Sequence, residues 1–227
     1  MTSPAPLSPE KLGIAPGLFA RASQHLAFVG MRQWLVHGCS LRIEGVENLS
    51  EISQAIWAPT HASHLDFWAV LAGLPKPLRQ KTYVAAAKDF FYTPSRRALT
   101  RLLAFHTFPF DRQMVSPQEY RRLEWLLRQG LSLLIFPEGS RSRDGGLQTI
   151  KPIAAMLAAD AGLPLLPVLV EGTHQVLPPG RFFPQRHPIR VAFGSPIATT
   201  ALPGESFHAR IRRINQALTD GITRLRH

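Results

Sequence analysis

The chain has 227 residues, 45% of them hydrophobic, and carries 26 Lys and Arg against 15 Asp and Glu, a net charge of +11. That apolar content excludes disorder throughout and builds a substantial core, and the length suits one α/β domain. A single cysteine, Cys39, excludes an intrachain disulfide, while the excess of positive charge favours an anionic partner or surface.

Residues 1–16 contain Pro and Ser but no basic start leading into an apolar stretch, so they read as a flexible arm and not as a signal peptide. Residues 17–38 place Leu18, Leu26, Phe28, Val29, Trp34, Leu35 and Val36 at helix-like spacing. Arg21, His25, Arg32 and His37 interrupt them. A spanning helix needs about 18 or more consecutive apolar residues. This stretch instead predicts an amphipathic helix suited to lying on a membrane.

Leu41–Glu44 alternates as a short strand, ended by Gly45. Ala55–Ala58 is a short apolar strand, and Leu65–Leu74 a helix closed by Gly73 and Pro75. Thr82–Ala87 reads as a strand and Arg96–Phe105 as a helix. Thr107–Phe110 is extended, because Pro109 biases its predecessor away from helix. The cations between Lys76 and Arg112 read as a solvated basic face.

Ser116–Gln129 is a helix with a capping residue at Ser116, Pro117 in its first turn, Glu119 three residues on, and Gly130 as its stop. Leu131–Phe136 is a nearly continuous apolar run, the pattern of a strand buried on both faces of a parallel sheet. Ile150–Ala161 reads as a helix; Leu163–Val170 and Ile189–Phe193 read as strands. Phe207, Ile211, Ile214, Leu218, Ile222 and Leu225 form the apolar stripe of a last helix, predicted to pack on the core. This alternation predicts one α/β domain over 39–227, with a largely parallel mixed sheet flanked by helices on both faces.

Two segments carry the chemistry. In the first, His61 and Asp66 are five residues apart just after an apolar strand. On a continuous helix such residues are rotated by roughly 140° and do not share a face. They meet only if His61 precedes the helix and Asp66 lies in its first turn. A neutral imidazole is then a base near neutral pH, with the carboxylate fixing its tautomer. Two other readings stand beside this one. Ser63-x-x-Asp66 has the spacing of a capping box. His61, His64 and Asp66 also offer metal ligands, though Phe67 occupies the place of a further histidine.

The second segment is Phe136-Pro137-Glu138-Gly139-Ser140-Arg141-Ser142, which follows the apolar run 131–136. Gly139 lets backbone approach a ligand, successive N–H groups can form an anion nest, and Arg141 can fork onto phosphate oxygens. Glu138 can accept from a substrate hydroxyl or orient Arg141. The alternative is an ordinary Pro-Gly turn with surface charges.

In this order, the two segments resemble the phospholipid and glycerol acyltransferase family, which includes the 1-acylglycerol-3-phosphate acyltransferases. His61, Ser63 and Asp66 match its first motif, with Thr60 in place of Asn; Phe108–Arg112 looks like the second, with Pro109 as a departure from it. Phe136–Ser142 matches the third in full, and Leu166-Pro167-Val168 fits the fourth. Lys151-Pro152-Ile153 lacks the glycine of the family's Lys-x-Gly.

The resemblance implies a glycerol-3-phosphate acyltransferase-like fold. It implies transfer of a fatty acyl group from acyl-CoA or acyl carrier protein to a lysophosphatidate-like acceptor, with no cofactor and no metal. It assigns catalysis to His61 and Asp66, and acceptor binding to Arg112, Glu138, Gly139, Ser140 and Arg141, the two arginines near the phosphate. Many bacterial members of that family carry apolar N-terminal helices that embed in the membrane; this chain has only the interrupted segment 17–38, so the expectation is peripheral attachment to an anionic membrane, at the inner face of the cytoplasmic membrane. The alternatives are the same chemistry on a glycolipid, an amino-acid-derived lipid or another alcohol, a metallo-hydrolase, or a basic nucleic-acid-binding module. A nucleic-acid partner is not expected, because no DNA or RNA motif stands out.

Overall fold

The computed structural model describes residues 18–87, 107–110, 115–181 and 183–227. The arm at 1–16, the expected helix Arg96–Phe105 and Arg112 lie outside the described residues. Among the described residues, seven strands form one sheet: β1 Arg42–Glu44, β2 Ile56–Pro59, β3 Thr82–Ala87, β4 Thr107–Phe110, β5 Ser132–Leu134, β6 Leu165–Glu171 and β7 Arg190–Phe193. Their order is β1-β7-β6-β2-β5-β3-β4. From β6 through β4 every pairing is parallel, with Ile56 opposite Leu165 on one side and Leu133 on the other.

The expected third buried strand, β7, is present but antiparallel to β6, with Val168 opposite Phe193. Among the described residues between them, 172–181 and 183–189, the helix is a single turn and the chain doubles back, without the long crossover helix that usually joins parallel strands. β1 then pairs parallel with β7. Arg190 ties this edge together by bonding Glu44, Glu171 and the carbonyl of Leu225.

The helices are α1 Leu18–Gln33, α2 Asp66–Gly73, α3 Lys76–Lys81, α4 Pro117–Arg128, α5 Ile153–Ala161, α6 Thr173–Val176 and α7 Phe207–Leu225. The period-2 alternation of the strands divides the core in two. Ile56, Ala58, Leu133, Ile135, Leu165 and Leu169 face α4, α5 and α7. Trp57, Leu134, Leu166, Val168 and Val170 face α1 and α2 on the opposite side. Each fully buried side chain of this size contributes about 1.5–3 kcal/mol. The indole N–H of Trp57, buried with it, donates to Thr82 Oγ1 at 3.0 Å.

The helix α4 carries the expected reciprocal cap between Ser116 and Glu119. The stripe of α7 is buried at Ile211, Ile214, Leu218 and Ile222, as its spacing predicts. The predicted helix 17–38 is realised as α1 followed by a π-helical turn, Trp34–Gly38. Phe28 of α1 stacks on Trp68 of α2 with centroids 6.4 Å apart, and Arg79 lies 4.5 Å over the Phe28 ring. Its outer face leaves Leu26 70% and Val29 40% exposed.

Candidate active site

β2 lies between β6 and β5, both parallel to it, so three carboxyl ends meet at one edge of the sheet. Such edges collect functional groups in open α/β sheets. The residues just beyond β2 are Thr60 and His61, those beyond β5 are Ile135–Glu138, and those beyond β6 are Gly172 and Thr173.

Thr60 extends the ladder with its side chain. Its N–H donates to Val168 O at 3.0 Å; its hydroxyl donates to Val170 O and accepts from Val170 N. His61 therefore begins where pairing with β6 ends. The chain then turns through 62–65 into α2, whose first residue is Asp66. This is the geometry that the five-residue spacing requires. His61 Nδ1 lies 2.9 Å from Asp66 Oδ2.

Asp66 has no solvent exposure. A buried carboxylate is tolerable only when its oxygens are hydrogen-bonded. Oδ2 accepts from the backbone of Ala62 at 2.7 Å and Ser63 at 2.8 Å, and Oδ1 accepts from Thr173 Oγ1 at 2.5 Å. The expected capping box is half realised. Asp66 does reach back to the Ser63 N–H, but Ser63 Oγ donates to Leu177 O and accepts from Leu65 N. Ser63 is fully buried, so its hydroxyl proton needs an acceptor, and the carbonyl of Leu177 supplies it.

When Nδ1 carries the ring proton and donates it as a hydrogen bond to Asp66, the Nε2 lone pair of His61 is the one left to accept a proton. The imidazole is stacked on Phe136, with centroids 3.8 Å apart and planes inclined by 19°. Its side chain keeps 15% exposure, whereas that of Asp66 is buried.

The second segment grips His61 through its backbone. Glu138 Oε1 accepts the His61 N–H at 2.7 Å, and Ser142 N donates to the His61 carbonyl at 2.7 Å. Glu138 Oε2 accepts from Gln148 N at 2.9 Å. Both oxygens of Glu138 thus clasp backbone, a use that the sequence reading of it as an acceptor ligand does not contain. Burial pushes the Glu138 carboxyl above its ordinary 4.5; the two backbone donors pull the other way, and the charge of Asp66 adds to the rise.

Gly139 has φ +75°, in the left-handed region that favours glycine. A Cβ there would lie 2.7 Å from Lys151 Nζ, so the ammonium sits directly over this turn. The Lys151 N–H also donates to Pro137 O at 2.9 Å. Ser140 is exposed, its carbonyl held by Gln148 Nε2 at 2.9 Å, and Arg141 beside it is half-buried.

Of the residues predicted from sequence, His61, Asp66, Glu138, Gly139, Ser140 and Arg141 lie in the segments that form this edge. Arg112 is outside the described residues. Sequence reasoning missed the contact of Phe136 with the His61 ring, the amide of Ser142, the placement of Lys151, and Thr173. The last was findable only by knowing that β6 is the neighbour of β2. Among the described residues, no three His, Cys, Asp or Glu side chains converge as ligands for a metal ion. What the arrangement offers is a carboxylate-held base beside a turn with cations at hand for an anion.

A sequence-family model described as Acyltransferase matches residues 40–171. The 1-acyl-sn-glycerol-3-phosphate acyltransferase of Limnanthes douglasii is 32% identical over 175 residues, 75% of this chain and 58% of the relative. That of Cocos nucifera is 30% identical over 195 residues, 84% of this chain and 60% of the relative. The chain therefore spans about three-fifths of the length of these plant relatives. The protein of the same name from Bacillus subtilis (strain 168) is 23% identical over 82% of this chain and 87% of its own length. The crystal structure of the 1-acyl-sn-glycerophosphate acyltransferase PlsC from Thermotoga maritima superposes with a TM-score of 0.65 at 21% identity, over 91% of this chain and 79% of that one. That likeness is one of fold.

Proposed function

The chain belongs to the Acyltransferase family, and from that premise we propose that it moves a fatty acyl group from an acyl thioester to the hydroxyl of a lysophosphatidate-like acceptor. The observation that carries this reading is the 2.9 Å contact of His61 Nδ1 with a buried Asp66 at the carboxyl edge of β2. In the proposed step, His61 Nε2 takes the proton of the acceptor hydroxyl as its oxygen attacks the thioester carbonyl. The C–S bond then breaks, and the departing thiolate recovers that proton from the imidazolium. Products are the ester and the free thiol, and no protein side chain is acylated. General-base assistance of this kind contributes about 10²- to 10⁴-fold.

The acceptor phosphate is assigned to the Gly139–Arg141 turn, with Lys151 Nζ above Gly139 as a further cation. Arg112 enters this assignment through the family resemblance alone. Both acyl-CoA and acyl carrier protein present the thioester that the step needs.

Such substrates partition to membranes, and we infer attachment to an anionic surface, at the cytoplasmic face, through α1. Exposed Leu26 and Val29 on that helix, and a net charge of +11, support the inference. No helix among the described residues is long and apolar enough to cross a membrane.

The test is a labelled acyl-thioester assay with both donors against lysophosphatidate, a neutral lysolipid, a glycolipid and a simple long-chain alcohol. Preference for the phosphate-bearing acceptor supports the reading. Equal transfer to the neutral acceptors would replace the acceptor assigned here by another alcohol.

A further inference from the structure

We propose that Thr173 is a positioning residue for the His61–Asp66 pair, an inference that rests on the reading of His61 as the base. Three of the four donors to Asp66 converge on Oδ2: the N–H groups of Ala62 and Ser63, and His61 Nδ1. Oδ1 is met by Thr173 Oγ1, at 2.5 Å. The hydroxyl is the donor of this pair and the carboxylate oxygen its acceptor. Both groups are sealed from water, Asp66 with no exposure and Thr173 with 1%. A carboxylate anchored at both oxygens cannot rotate about its Cβ–Cγ bond. The plane of the carboxylate sets the orientation of the imidazole and the tautomer it holds.

The local chain is built to present this hydroxyl. Gly172 has φ +85°, and a Cβ there would lie 2.0 Å from the carbonyl oxygen of Pro188. The sharp turn out of β6 therefore requires glycine, and it delivers Thr173 as the first residue of α6. The same short segment braces two more parts of the site. Leu177 O accepts from Ser63 Oγ at 2.8 Å, and His174 Nε2 lies 3.0 Å from Arg143 O, just past the Phe136–Ser142 segment. Thr173 lies beyond residues 40–171, the span matched by the family model, and outside every motif quoted from the sequence.

The experiment compares Thr173→Val, which keeps the shape and removes the donor, with Thr173→Ser, which keeps the donor. Steady-state kinetics should show kcat of Thr173→Val lowered by about ten- to a hundredfold, the rate equivalent of one hydrogen bond to a charged group. The acceptor KM should be little changed, and Thr173→Ser should recover most of kcat. In a His61→Ala background, Thr173→Val should cost nothing further, because the two act as one unit. Nitrogen-15 NMR of the His61 ring gives a readout that needs no turnover. Wild type and Thr173→Ser should hold the Nδ1–H tautomer, and Thr173→Val a mixture.

If wild type transfers no acyl group but the NMR separates Val from Ser in this way, acyl transfer fails and the positioning role stands. If Thr173→Val keeps the wild-type rate and tautomer, the positioning role is overturned. It is equally overturned if Val and Ser lose thermal stability and activity together, since that is the behaviour of a packing residue.

Discussion

The backbone N–H of His61 donates to Glu138 Oε1 at 2.7 Å, joining two segments 77 residues apart. With Ser142 N bonded to the His61 carbonyl, His61 is held at both ends of its own backbone. Glu138→Gln keeps one acceptor and turns an amide N–H₂ toward a buried backbone donor. This should cost about 1–3 kcal/mol of stability near neutral pH and lower kcat. Stability carries a pH signature as well. Burial raises the Glu138 carboxyl above 4.5, so the folded chain binds this proton more tightly than the unfolded chain. The stabilisation is fully present below 4.5 and is lost as pH rises through the raised folded value. Urea denaturation across pH should show the wild-type advantage over Glu138→Gln shrinking upward from 4.5 and then levelling. An advantage that grows with pH would contradict this account of Glu138.

Phe136 supports the imidazole from its face, at 3.8 Å between centroids. Ring pairs of this kind are worth about 0.5–1.5 kcal/mol beyond buried area. Phe136→Leu should lower kcat severalfold with stability only slightly reduced, and Phe136→Tyr should retain the wild-type rate. Unchanged kcat in Phe136→Leu would remove Phe136 from the support of the base.

The proposed membrane contact depends on apolar side chains of α1 that the fold leaves outside. Leu26→Asp combined with Val29→Asp should weaken flotation with anionic vesicles without changing the thermal unfolding temperature, because neither side chain is buried in the core. Flotation equal to wild type would move the membrane contact to another part of the chain.

The sequence disclosed what depends on local pattern. The run Leu131–Phe136 and the apolar stretch Leu163–Val170 announce central strands; the Ser116–Glu119 cap announces the start of α4, and the stripe of the last helix is buried from Ile211 to Ile222 while Phe207 at its start is exposed. The helix α3 escaped because Pro75 and Pro77, which read as the stop of the preceding helix, are its N-cap and its second residue. Strand order and the reversal of β7 are tertiary facts, and nothing in a strand's own residues states its neighbour. For the same reason His61 and Asp66 were legible and Thr173 was not. The first two lie five residues apart, while Thr173 is 107 residues from Asp66 and meets it only because β6 pairs with β2. Glu138 is legible through its motif, but its bonds to the His61 and Gln148 amides are not, since any residue supplies a backbone N–H.

The most direct measurement is the rate of labelled acyl transfer from a thioester to lysophosphatidate by wild type and by His61→Ala, with thermal unfolding recorded for both. The account predicts that His61→Ala unfolds at a temperature close to wild type and loses activity by at least about 10²-fold. A folded His61→Ala protein transferring acyl groups at the wild-type rate would contradict it.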